Sequence, residues 1–110
     1  MTCHEKGSWG YLIAWEFRPK AGAEDRFEKA YGPKGVWATF FAKGSGFIAT
    51  ELNRDLKEPR RYLTLDLWVS QEACERFRTE HLAEYQAIDA RSEALIEQER
   101  ELGRFERLGS

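Results

Sequence analysis

Residues Tyr62–Tyr85, YLTLDLWVSQEACERFRTEHLAEY, read as one strand turning directly into one helix. From Arg61 to Val69 side chains alternate, with Leu63, Leu65 and Leu67 on one parity and Tyr62, Thr64, Asp66 and Trp68 on the other. That two-residue period is a strand's. Ser70 then supplies an N-cap oxygen, and Glu72 suits the positive end of a helix dipole. Ala73, Phe77, His81, Tyr85 and Ile88 recur at helical spacing and form one apolar stripe. A single helix from 71 to 97 would be about 40 Å long, too long for so small a domain. A break is therefore expected near Ile88–Ala90, with Asp89 capping a short further helix to about Gln98.

Working outward, residues 1–9 read as a weakly ordered tail. Tyr11–Arg18 (YLIAWEFR) is extended, rich in aromatic and branched residues, and stops at Pro19. Ala23–Tyr31 reads as a helix, broken by Gly32-Pro33. Gly35–Lys43 resumes as a short helical piece whose pairs Val36/Phe40 and Trp37/Phe41 form a buried face. Gly44-Ser45-Gly46 turns the chain into a second strand, Phe47–Asn53. A charged loop, Arg54–Arg60, leads to the third. A last short strand is expected at Gly103–Leu108.

The order β-α-β-β-α-β is the ferredoxin-like arrangement over a single domain, residues 10–110. It predicts an antiparallel sheet with helices on one face and strands one and three as central neighbours. Both faces carry apolar side chains, since Tyr11, Ile13, Trp15 and Phe17 share one parity and the three leucines share another. The face without helices needs cover, which predicts a homodimer built sheet to sheet.

Composition narrows the function. The 110 residues carry 17 basic and 19 acidic side chains, for a net charge of −2. No basic block suggests nucleic acid. No apolar run is long enough to span a membrane. The first ten residues lack an apolar signal core, so the expected location is the cytoplasm. Cys3 and Cys74 make no disulfide framework, and neither they nor His4 and His81 have zinc-ligand spacing. Phosphate loops and nucleophile elbows are absent, so no bound cofactor or metal is expected.

Several side chains have both a chemical and a structural reading. His81 titrates near neutrality and suits a general base or a substrate hydrogen bond; it also suits the edge of an apolar stripe. Tyr85, one turn on, offers a hydroxyl to a phenolic ligand or a wet tip to the core. Asp66 is costly to bury alone. It is either a base of raised pKa or, the favoured reading, the partner of an arginine such as Arg18 or one from a second chain. Trp15, Trp37 and Trp68 suit an aromatic-walled pocket or plain packing. Cys74, just past a helix start, is an unpromising nucleophile with no histidine beside it in sequence.

The β-α-β-β-α-β order, the run Trp68–Ala73 (WVSQEA) and the strand GFIATEL at 46–52 together resemble the antibiotic biosynthesis monooxygenase domain of the dimeric α+β barrel superfamily. The resemblance covers roughly residues 10–108. It implies a homodimer that binds or oxidises a small aromatic or quinone-type molecule without a cofactor. A non-catalytic ligand- or protein-binding dimer is the alternative. Trp68 matches the strand-end tryptophan common in the family. Haem-degrading members carry Asn, Trp and His where this chain has Trp15, Phe77 and Ala87, which argues against haem. Quinone-forming members use an Asn, a Trp and a Tyr, for which Asn53 and Tyr85 are available residue types. The expected site thus has His81 and Asp66 as catalytic groups, with Trp15, Trp68, Tyr85, Asn53 and Phe77 around the substrate.

Overall fold

A computed structural model describes residues 9–109. Most of the expected N-terminal tail, with Cys3 and His4, lies outside them. The elements run β1 (Tyr11–Pro19), α1 (Glu24–Tyr31), α2 (Val36–Phe41), β2 (Phe47–Arg54), β3 (Tyr62–Trp68), α3 (Gln71–Glu80), α4 (Leu82–Ser92), a 3₁₀ turn (Glu93–Leu95) and β4 (Ile96–Glu106). The sheet order is β2-β3-β1-β4, with every neighbour antiparallel. This is the expected ferredoxin-like α+β architecture, with β1 and β3 at the centre.

Register assigns the two faces. Tyr11 lies opposite Trp68, Ile13 opposite Asp66, Trp15 opposite Thr64 and Phe17 opposite Tyr62. These residues share the helix side. There Phe17 and Tyr62 pack on Phe27 of α1, with ring centroids 5.6 and 4.8 Å apart. Trp68 packs on Phe77 of α3 at 5.5 Å. Trp68 is 1% exposed, and truncating such a side chain to Ala costs about 3–5 kcal/mol. By the same alternation Leu63, Leu65 and Leu67 point to the other face, beside Leu12, Ala14 and Ala49 of the neighbouring strands.

The start of α3 follows its local signals. The Ser70 hydroxyl oxygen accepts from the Ala73 amide at 3.1 Å, and the helix end packs tightly on the preceding turn. A Cβ added at Gly46 would lie 2.4 Å from the Ala73 Cβ, so only glycine fits there without displacing one of them.

Three expectations are corrected. The helix break falls at His81, not at Ile88–Ala90. His81 leaves helical geometry at φ −121°, ψ 29°. Its amide donates the last bond of α3 to Phe77 O at 3.0 Å, and its carbonyl accepts the first bond of α4 from Tyr85. The expected further helix to Gln98 is replaced by β4, which begins at Ile96 and is eleven residues long. Its charged sequence resembles a helix surface, but pairing with the edge of β1 determines its conformation, and charge suits an exposed edge. Val36 is 41% exposed; Trp37, Ala38, Phe40 and Phe41 form the buried side of α2 instead.

Candidate functional site

Between the helix side of the sheet and the helices lies a narrow cavity in two adjoining compartments. Trp15 of β1, Phe41 of α2, Asp66 of β3 and Tyr85 of α4 border both. The outer compartment is a slot of about 40 Å³, partly open to solvent, and continues to Tyr31, Trp37, Asp89 and Glu99. The inner one reaches Trp68, Cys74 and Arg78. Its walls are largely aromatic, with Trp37 edge-on to Tyr85 at 5.2 Å and Trp15 stacked beside Phe17 at 6.0 Å. A few polar groups set among aromatic walls are the usual make-up of a small-molecule pocket.

Asp66 occupies the junction. Thr50, its neighbour across β2, donates a hydroxyl hydrogen bond to Asp66 Oδ1 at 3.0 Å. Burial drives the carboxyl up from 3.8 to about 6, against the smaller pulls of the Thr50 hydroxyl and the Arg78 guanidinium. The expected arginine pair is therefore corrected within the described chain. Arg18 binds Glu58 at 2.6 Å, and Asp66 has no ion pair among the described residues. An acid raised in this way is ionised at neutral pH yet basic enough to take a proton.

Tyr85 borders the cavity with its hydroxyl 3.4 Å from an Arg78 nitrogen, which donates to it. Burial raises its phenol above the ordinary range. Cys74 is buried, and its thiol is pushed up to about 11 by that burial, so at neutral pH it is a protonated wall and not a nucleophile. Trp37 is core as well as lining, its indole N–H donating to the Ser92 hydroxyl at 3.2 Å.

The structure thus brings Asp66, Trp15, Tyr85 and Trp68 to one cavity. Phe77 packs behind Trp68 and borders neither compartment. His81 also borders neither. Its ring stacks on Phe77 at 4.3 Å, and its Nδ1 lies 3.1 Å from Phe77 O. A carbonyl only accepts, so that bond places the proton on Nδ1. Asn53 is exposed, with its amide 3.5 Å from Leu63 O. Arg78, Asp89 and Glu99 are lining groups that sequence reasoning missed. Arg78 and Glu99 sit in charged stretches that read as solvated surface and Asp89 reads as a helix cap, so no local signal marks any of them as lining.

A four-stranded antiparallel sheet with helices on one face defines a ferredoxin-like α+β protein. The antibiotic biosynthesis monooxygenase family matches residues 11–91, and the chain belongs to that family. No curated protein matches it by sequence. Among solved structures it resembles SnoaB, a cofactor-independent oxygenase from Streptomyces nogalater, at 22% identity and a TM-score of 0.72, over 93% of this chain and 96% of that one. PA3566 from Pseudomonas aeruginosa is similar at 17% identity and a TM-score of 0.64, over 93% and 97% of the two chains. A conserved protein from Methanosarcina mazei reaches a TM-score of 0.66 at 9% identity, over 94% and 98%. At such identities the likeness is one of fold.

Proposed function

We propose that this protein is a cofactor-independent oxygenase of a small hydroxylated aromatic, with Asp66 as the base. The observation that carries the reading is a carboxyl raised to about 6 inside an aromatic-walled cavity. Membership of the monooxygenase family and the likeness to a cofactor-independent oxygenase support the same class. Ionised Asp66 removes a proton from the substrate, leaving an electron-rich anion that reacts with dioxygen. One oxygen atom enters the substrate, and the other leaves as water with two substrate hydrogens. The chain supplies orientation against Trp15 and Tyr85, a dry wall of Trp68, and the base. Because the slot is narrow, a fused-ring substrate has to displace lining side chains on entry.

The same reading includes a homodimer through the leucine face. Leu63 and Leu65, half-buried, sit there beside Leu12 and Phe105, the last 52% exposed, while Leu67 is already buried within the chain. The ion pairs of Glu16 with Arg61 and Arg100 lie beside Leu63 on that face. Such a patch is what an isologous interface buries.

Oxygen consumption with 1,5-dihydroxynaphthalene tests the function. Uptake above the spontaneous rate, lost in Asp66→Asn, is the expected result. Tight binding of the same compound without uptake would replace the oxygenase by a non-catalytic binding module.

A further inference from the structure

The two ends of the cavity carry opposite charge. At the inner end Arg78, on α3, lies with its guanidinium 4.9 Å from the Tyr85 ring centre and one nitrogen 3.4 Å from the Tyr85 hydroxyl. It makes no ion pair among the described residues. The arginines of the sheet and its loops differ: Arg18, Arg60, Arg61, Arg100 and Arg104 each bind a carboxylate. The groups that act on Arg78 or are acted on by it are Asp66 from β3, Cys74 from its own helix, Tyr85 from α4 and Glu101 from β4. Cys74 is neutral, Glu101 is held by Arg104 at 2.9 Å, and Asp66 is held by Thr50. A guanidinium has five donors, and Tyr85 takes one. The outer end carries Asp89 and, at its mouth, Glu99, with no cation among its lining residues.

We propose that Arg78 is a specificity-determining residue that selects phenolic ligands as their anions, drawing the phenolate oxygen to the inner end while Asp89 and Glu99 repel it from the outer one. The inference rests on the cavity reading of the preceding subsection, and it adds the form and direction in which a ligand binds. The proton balance closes within the cavity. The phenol O–H bond breaks, its proton passes to Asp66, and the oxygen keeps the electron pair facing Arg78. Asp66 becomes neutral, so the net charge of the cavity is unchanged. A second donor group on the ligand, such as another hydroxyl, then suits the acidic end.

The probe is 7-hydroxycoumarin, whose absorbance reports its own ionisation and which needs no turnover. Bound to the wild-type protein, its phenol should titrate lower than in free solution by about 1–3 pH units, the range an opposite charge at 4–6 Å produces. Arg78→Met should abolish that lowering, and Arg78→Lys should keep most of it. 7-Methoxycoumarin, which cannot ionise, should bind wild type and Arg78→Met equally, which separates loss of charge from loss of fold. An unchanged titration of the dye in Arg78→Met overturns the proposal. Failure of both coumarins to bind the wild-type protein overturns it together with the cavity reading. A lowered, Arg78-dependent titration without oxygen uptake on dihydroxynaphthalene would sink the oxygenase alone and leave Arg78 in its role.

Discussion

Replacing Asp66 by Asn should make the protein more stable at neutral pH, and the gain should vanish in acid. The carboxyl is raised from 3.8 to about 6 by burial. The folded state therefore binds the proton more tightly than the unfolded chain, and stability falls as pH rises across the interval between those values. Below about pH 3 both states are protonated and the carboxyl costs little. Above pH 6 the folded state must hold a desolvated carboxylate, and the cost levels off at about 3 kcal/mol. Asn has the same shape, can still accept from Thr50, and carries no charge to desolvate. Urea unfolding followed by tryptophan fluorescence, at fixed protein concentration and at pH 4 to 8, reads the difference. The variant should lead wild type only slightly at pH 4, draw further ahead up to about pH 6, and hold a constant lead above pH 7. A lead equal at every pH would mean that packing and not ionisation of Asp66 is the cause. A carboxylate kept at such cost is expected where function needs it.

Ser70→Ala removes the one side-chain cap on α3 and should cost about 1 kcal/mol in the same unfolding assay. Leu65→Glu places a charge in the middle of the open sheet face, and light scattering should find a dimer for wild type and a monomer for the variant. Asp55 is held at about 2 by the amides of Glu58 and Lys57 and by Arg61. Its lowered value stabilises the fold above pH 4, and that contribution is lost as pH falls through 2. Asp55→Ala should therefore weaken wild type at pH 7 and make little difference near pH 2, as read by thermal melts.

Much of this fold was legible because neighbouring signals agreed. Alternation in Tyr62–Trp68, the Ser70 cap and the stripe after it each decide one element locally, and the order of elements then implies the sheet. Proline and glycine marked the ends of β1 and α1. Where the reading failed, the deciding contacts were distant. Nothing near Ile96–Leu102 announces a strand, since its pairing partner lies eighty residues away in β1. The stripe Phe77–His81–Tyr85 runs unbroken through the point where the helix ends, and the contact of His81 with the Phe77 carbonyl there leaves no trace in periodicity. Asp66 stands out in the sequence as a carboxylate among apolar residues, but its hydrogen-bond partner, Thr50, is supplied by β2 register and not by an arginine. Arg78, Asp89 and Glu99 were invisible for a related reason. A charge that faces a cavity has the same sequence neighbours as one that faces water.

The proposed function makes Asp66 the base of an oxygenase and gives His81 no part in the chemistry. The direct measurement is kcat/KM for oxygen uptake with 1,5-dihydroxynaphthalene between pH 4 and 9, in wild type, Asp66→Asn and His81→Ala. The wild-type value should rise through about pH 6 as Asp66 ionises. Asp66→Asn should lose about 100-fold or more, the usual contribution of a general base, and His81→Ala should keep the wild-type profile. Uptake that survives in Asp66→Asn, or that falls only in His81→Ala, would show that Asp66 is not the base.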